Sequence, residues 1–90
     1  MEDITKDFLI NKGFREEYKN IFTYSNKEYT IDVIHSESPI HNRLWETVNR
    51  HWKIIILHST GYTIANILVQ TKEQFNKVME ICDVDLNIKD

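Results

Sequence analysis

The chain has 90 residues, of which 41% are apolar and 28% are charged, and its formal net charge is −3 at pH 7. This length predicts one globular domain over residues 1–90, and the composition argues against a disordered chain. Its single cysteine, Cys82, excludes an intrachain disulfide and a cysteine-based zinc site and fits a reducing cytoplasm, whereas the longest aliphatic run, residues 54–57, is far below the roughly 20 residues of a membrane span.

A short amphipathic helix is predicted near the N-terminus, over residues 4–12. Asp3 or Thr5 is suited to cap its first turn, because the side-chain oxygen of either residue accepts a hydrogen bond from an unpaired backbone N–H. Gly13 is suited to the left-handed conformation that ends a helix. The start of the chain lacks the layout of a signal peptide, so we expect neither export nor membrane insertion.

A β-hairpin is predicted next, with strands over residues 18–24 and 29–35. Both segments are rich in β-branched and aromatic residues, and residues 25–28 between them have the composition of a turn. In the second strand Tyr29, Ile31 and Val33 share one face, while Thr30 and Asp32 share the other. The alternation indicates one packed face and one wet face.

Residues 40–51 leave two structures open. Ile40, Leu44 and Val48 recur at helical spacing after the break at Pro39, which favours a short extra helix, but an extended segment leading into the next strand fits equally well. A second hairpin then follows. Its strands are predicted over residues 52–58 and 62–70, with the turn at Thr60 and Gly61, and the continuous apolar run of the first strand predicts its burial on both faces. We expect the two strands of this hairpin to form the centre of the sheet.

A C-terminal helix is predicted to start at Thr71. Thr71 and Gln74 have the spacing of a capping box, in which each side chain accepts from the other residue's backbone N–H. An apolar stripe follows at helical spacing, formed by Phe75, Val78, Met79 and Cys82. Residues 85–88 then form a short edge strand or a tail.

The sum of these elements predicts an α+β fold in two layers. Its sheet is antiparallel and four-stranded, built from two hairpins, with one helix at each end of the chain. A short extra helix at residues 40–51 is the element that the sequence leaves open.

The ending TKEQFNKVMEICDVDLNIKD, after the segment YTIANILVQ, resembles the close of small proteins from phages and mobile elements of AT-rich bacteria. The resemblance covers about the last third of the chain and depends on a helix pattern and on composition. It implies a small accessory protein, and some proteins of this kind inhibit host defence complexes. It identifies no functional residue.

Residues 41–53, HNRLWETVNRHWK, are the candidate partner-binding segment. The segment contains three cationic residues and one anionic residue, so its net charge is +2 and the rest of the chain has a net charge of −5. Tryptophan and arginine are enriched among interface hot spots, and cations beside aromatic rings also suit RNA or single-stranded DNA. Residue type alone favours the alternative, in which the tryptophans only fill the core and the basic residues lie on the solvated side of the same element. The predicted partner-binding residues are Arg43, Trp45, Arg50, His51, Trp52 and Lys53.

Signals for catalysis are weak throughout the sequence. The four histidines, His35, His41, His51 and His58, include no pair at HxH or HxxxH spacing, so we assign no metal ligands. Cys82 lies on an apolar stripe, where a thiol is usually a small buried hydrophobe. We therefore expect no catalytic residues, no cofactor and no enzymatic activity.

Three functions remain from the sequence. The first is a non-enzymatic, anti-CRISPR-like inhibitor from a phage or mobile element that binds a host protein or ribonucleoprotein complex in the cytoplasm. The second is direct binding of RNA or single-stranded nucleic acid through residues 41–53. The third is a homo-oligomeric structural protein with a free strand edge at residues 85–88. We expect no membrane partner, and the sequence does not fix the oligomeric state.

Overall fold

The computed structural model describes residues 2–36, 40–41, 47–48, 51–84 and 86. These ranges contain two helices and seven strands. In chain order they are α1 (Lys6–Asn11), β1 (Arg15–Tyr18), β2 (Ile21–Ser25), β3 (Tyr29–Ser36), β4 (Ile40–His41), β5 (Thr47–Val48), β6 (His51–His58), β7 (Thr63–Val69) and α2 (Lys72–Ile81).

Five of the strands form one antiparallel sheet in the order β1-β2-β3-β6-β7. The α+β class and the flanking helices are confirmed, but the sheet has five strands where four were expected. β3 is its central strand, and β7 lies at an edge. The prediction that the second hairpin forms the centre of the sheet is therefore wrong.

The additional strand arises inside the segment 18–24, which was expected to be continuous. A turn at Lys19 and Asn20 divides it, so that β1 folds back along β2. Asn20 has a φ of 67°, a left-handed conformation that asparagine tolerates better than most residues. Its carbonyl accepts a hydrogen bond from the backbone N–H of His35 at 2.8 Å, which fixes the turn against the end of β3.

Both helices start with a side-chain cap. The Thr5 hydroxyl accepts from the backbone N–H of Phe8 at 3.1 Å, so Thr5 is the cap of α1. At α2 the Thr71 hydroxyl accepts from Gln74, and the Gln74 side chain accepts from the backbone N–H of Thr71 at 3.1 Å. The predicted capping box is confirmed.

The hydrophobic core lies between the two helices and one face of the sheet. Leu9 of α1 and Phe75 of α2 are fully buried and share a cluster with residues from the central strands. The apolar stripe of α2 is confirmed for Phe75, Val78 and Met79, whereas Cys82 is only half-buried. The strand residues fully buried in this cluster are Ile31, Val33, Ile54 and Ile56.

Residues 40–51 do not form a continuous helix. Ile40 pairs with Val48 and His41 pairs with Thr47 in a two-stranded antiparallel ladder, and His51 already belongs to β6. The alternative of an extended segment agrees better with these pairings. The predicted edge strand at residues 85–88 lies outside the described residues, apart from Leu86.

The start of the chain is attached to the start of α2. Backbone hydrogen bonds join Ile4 to Gln70 and Lys72 to Glu2, at 3.0 and 2.9 Å. The Lys72 ammonium also donates to the Glu2 carboxylate at 2.6 Å, and this hydrogen bond, with the attraction of the charge, lowers the pKa of the Glu2 carboxyl below its ordinary value. Since the pair is exposed, it orients the segment more than it stabilises the fold.

Candidate interaction surface

Consecutive residues of β6 point to opposite faces of the sheet, as they must in an extended strand. Ile54 and Ile56 are fully buried beneath the helices. Ile55 is half-buried on the other face, and Leu57 there is 37% exposed. The apolar run of β6 is therefore buried on one face only, contrary to the prediction of burial on both.

The face turned away from the two helices is called the open face here. The register places Ile21, Ile34, Lys53 and Leu68 in one row across four strands, and it places Thr23, Asp32, Ile55 and Asn66 in the next row. Thr30 and Leu57 begin a third row. The buried residues of both helices belong to the core on the opposite side, so neither helix covers the open face.

Aliphatic side chains are half of the ten residues in these rows of the open face. Leu68 is 48% exposed, and Ile21, Ile34 and Ile55 are half-buried. Lys53 and Asp32 are the charged side chains that β3 and β6 contribute to these rows, and Arg15 of β1 extends the second row beside Thr23 and pairs with Glu17 at 2.6 Å. Asp32 accepts a hydrogen bond from the Thr23 hydroxyl at 3.0 Å. Polar side chains therefore lie among the aliphatic ones, and exposed aliphatic side chains grouped on one face are typical of a surface that binds another protein.

The predicted partner-binding residues are only partly described. Arg43, Trp45 and Arg50 lie outside the described residues. His51, Trp52 and Lys53 are the first three residues of β6, where the alternation directs Trp52 to the helix side and the other two to the open-face side. The three consecutive residues therefore do not form one surface.

Trp52 packs in the core at the end of the sheet. It is 6% exposed, and its ring stacks on His35 with a centroid distance of 4.3 Å. The ring of Phe22 packs against the same indole, with 5.9 Å between the ring centroids. The burial of Trp52 supports the alternative given by the sequence, in which this tryptophan fills the core.

His51 is also buried, at 7% exposure, opposite Ser36 in the β3–β6 pairing. Its Nδ1 has no hydrogen-bond partner among the residues that the structure describes. Lys53 is half-buried between Ile34 and Leu68. Of the three described residues, Lys53 is thus the one that an approaching partner contacts most easily.

A cleft of about 450 Å³ lies on the helix side of the sheet beside Trp52. His35 and Phe22 contribute to its wall, and Lys6 and Lys19 lie at its border. Lys6 pairs with Glu16 at 2.7 Å, and Asp3 adds a further negative charge. Because the charges at the border nearly cancel, the cleft offers no strong site for an anion.

Metal-ligand chemistry has little support in the geometry of the histidines. His35 lies at one end of the β3–β6 pairing and His58 at the other, and each stacks on an aromatic ring. In the part of the chain that the structure describes, no three His, Cys, Asp or Glu side chains gather where an ion would be held.

The sequence reasoning missed the open face. The sequence contains one signal for it, because Ile34 is an apolar residue on the strand face that it shares with the polar residues Thr30 and Asp32. Ile55 and Leu57 were assigned to a buried centre because nothing local indicates that both helices lie on the same side of the sheet. Leu68 was not singled out for the same reason.

Comparison of the chain with protein-family models, with curated proteins and with solved structures gives no match. Neither α1 nor α2 approaches the length and apolarity that a membrane-spanning helix requires.

Proposed function

We propose that this chain is a non-enzymatic interaction protein that binds a host protein or a ribonucleoprotein complex through the open face of its sheet. The class of target follows from the resemblance of its C-terminal third to accessory proteins of phages and mobile elements. In that setting, binding inhibits a host defence complex by occupying a surface that the complex needs.

The observation that carries the proposal is the exposed aliphatic patch on a face that neither helix covers. Leu57 lies on β6 and Leu68 lies on the neighbouring strand β7. Ile55 is on the same face of β6 as Leu57, and Ile34 lies on β3, the other neighbour of β6. Burying such a patch contributes about 25 cal/mol for each Å² of apolar surface removed from water. A protein surface of complementary shape supplies that burial.

The composition of the patch favours protein over nucleic acid as the direct contact. Protein surfaces that bind nucleic acid combine several cations, which contact phosphates, with aromatic rings that stack on bases. The described rows of the open face combine aliphatic with uncharged polar side chains, and the cations Lys53 and Arg15 are accompanied by the carboxylates of Asp32 and Glu17. Direct RNA binding through residues 41–53 remains the alternative, and Arg43, Trp45 and Arg50 would then supply the contacts.

The first experiment is an affinity capture of the tagged protein from bacterial lysate, run with and without nuclease. A captured partner is then purified, and its affinity is measured by calorimetry for the wild type and for two variants. Leu57→Asp places a charge in the patch, whereas Ile81→Asp changes an aliphatic residue on α2, away from the sheet, that is more exposed than Leu57. Melting temperatures of both variants establish that they fold.

We expect capture to survive nuclease and Leu57→Asp to weaken binding by about 30-fold or more, which corresponds to a hot spot of about 2 kcal/mol. Ile81→Asp retains the wild-type affinity. Equal affinity of Leu57→Asp and the wild type removes the open face as the contact surface. Loss of capture on nuclease treatment, with binding abolished by the double variant Arg43→Glu and Arg50→Glu, establishes the nucleic-acid alternative instead.

A further inference from the structure

Lys53 lies between aliphatic side chains in one row of the open face. Its register partners on the two neighbouring strands are Ile34 and Leu68, and Ile21 is the next residue of the row beyond Ile34. The Lys53 side chain is half-buried. The methylene stem of a lysine packs against such neighbours, while its ammonium group stays in water. The row therefore places a single cation within an aliphatic surface.

Asp32 and Arg15 also lie on the open face, and both have partners within the protein. The Asp32 carboxylate accepts a hydrogen bond from the Thr23 hydroxyl at 3.0 Å, and Arg15 pairs with Glu17 at 2.6 Å. The ion pairs of the described residues join glutamates to Lys6, Arg15, Lys72 and Lys77. Lys53 belongs to none of these pairs in the part of the chain that the structure describes, so its ammonium group is available to an external anion.

The charge of Lys53 agrees in sign with the segment that it ends. Residues 41–53 have a net charge of +2, whereas the rest of the chain has a net charge of −5. A negatively charged group on a partner is therefore attracted toward this segment and repelled by the remainder of the chain. Charge complementarity thus favours an approach in which an anion meets Lys53.

A purely aliphatic surface laid over the open face would remove water from the Lys53 ammonium group and supply nothing in its place. The loss of water from a charged group is unfavourable unless an opposite charge or hydrogen-bond partners replace it. A carboxylate does both, because it is anionic and accepts charge-assisted hydrogen bonds from an ammonium group. A cation at the same position would be repelled.

We propose that the partner of the open face presents a carboxylate flanked by aliphatic side chains, and that Lys53 pairs with this carboxylate when Ile34 and Leu68 are covered. The inference rests on the proposed function, since it names the chemistry of the surface that the open face binds. Lys53 then selects among partners, because it favours an acidic apolar surface over a basic or a purely aliphatic one.

The first test compares two amphiphiles of equal chain length, decanoate and decyltrimethylammonium, below the concentrations at which they form micelles. Each is titrated into the isotope-labelled protein, and binding is followed by the NMR signals of Lys53, Ile55 and Leu68. We expect decanoate to bind about three to five times more tightly than the cation, which is the gain from an exposed ion pair. Lys53→Met keeps an apolar stem and should remove this preference, whereas Lys77→Met on α2 should retain it.

The second test uses the partner captured for the Leu57→Asp measurement. Lys53→Glu should weaken its binding by about tenfold or more, because two carboxylates then meet, whereas Lys77→Glu should leave it unchanged. The affinity of the wild type should fall with rising salt concentration, and that of Lys53→Met should fall less. Melting temperatures establish that each variant folds.

Absence of decanoate binding at the open face, or equal binding of the two amphiphiles, overturns the inference. A preference for decanoate that survives in Lys53→Met does the same, and so does wild-type affinity of Lys53→Glu for the captured partner. A failure of the proposed function is a different result, namely wild-type affinity of Leu57→Asp for that partner. The decanoate titration decides the inference even when no partner is captured.

Discussion

Trp52 and Lys53 are neighbours in the chain, but they belong to different surfaces of the protein. The ring of Trp52 is held between His35 and Phe22 on the helix side. Lys53 lies on the open-face side, between two aliphatic neighbours. The segment 41–53 therefore contains at least one core residue and one residue of the open face. Only variants that change one of these two residues at a time can report on binding.

We expect Trp52→Ala to lower the free energy of unfolding by about 3–5 kcal/mol, because it leaves a cavity in the core. Lys53→Ala should change it by about 0.5 kcal/mol or less, as is usual for surface residues. Urea denaturation followed by circular dichroism at pH 7 measures both. A Trp52→Ala variant as stable as the wild type would contradict the packing described for this ring.

This alternation also explains how far the candidate site was predictable. Composition locates a charged, aromatic segment, but a strand sends consecutive side chains to opposite faces. His51 is buried beside Trp52, although a histidine in a basic segment gives no sign of burial. The aliphatic residues of the open face come from four strands, so their proximity depends on pairings that no local pattern contains.

At the scale of elements, local signals were reliable where one short segment contains the whole motif. The capping box at Thr71 and Gln74 is complete within four residues, and its structure is the expected one. The turn before Tyr29 is similar, since Asn26 Oδ1 accepts from the backbone of Glu28 and Tyr29 at 2.8 and 3.0 Å. Both features follow from side chains that bind their own backbone.

The β1–β2 turn was missed because its signal is a single residue inside a strand-like run. Asn20 has no glycine or proline beside it, and tyrosine, isoleucine and phenylalanine around it all favour strands. The order of the strands was missed for a different reason. It depends on β3 pairing with β6 across the intervening residues, a contact between distant parts of the chain.

Asn20 gives a direct test of that turn. A β-branched residue in the left-handed region is strained, so Asn20→Val should lower the free energy of unfolding by about 1–2 kcal/mol. Asn20→Gly should leave it unchanged or raise it slightly, because glycine adopts this conformation freely. Thermal unfolding of the two variants beside the wild type measures the difference. Equal stability of both variants would exclude the left-handed conformation.

At the scale of the whole molecule, the sheet order predicts how stability is distributed. β3 has a strand on each side, and β6 also lies between two strands, whereas β1 has one partner and lies at the charged edge. Ile31, Val33, Ile54 and Ile56 are fully buried in these two inner strands. The backbone there opens only when most of the domain unfolds.

Native-state hydrogen exchange should therefore be slowest in β3 and β6 and at least about ten times faster in β1 and α1, since edges and short helices open locally. Mass spectrometry of peptic fragments, or NMR, resolves these segments. Slow exchange across β1 equal to that of β3 would be inconsistent with the strand order.

The charged edge of the sheet at β1 limits how far copies of this chain can assemble. A sheet that accepted strands at both ends would grow into a ribbon and then a fibre. Here the end at β1 is closed by two glutamates, an arginine and an irregular register. Because that edge accepts no strand, copies of this sheet cannot join through β1 into a continuous ribbon. The chain thereby carries a cap against filament formation in the same sheet that exposes an uncharged edge.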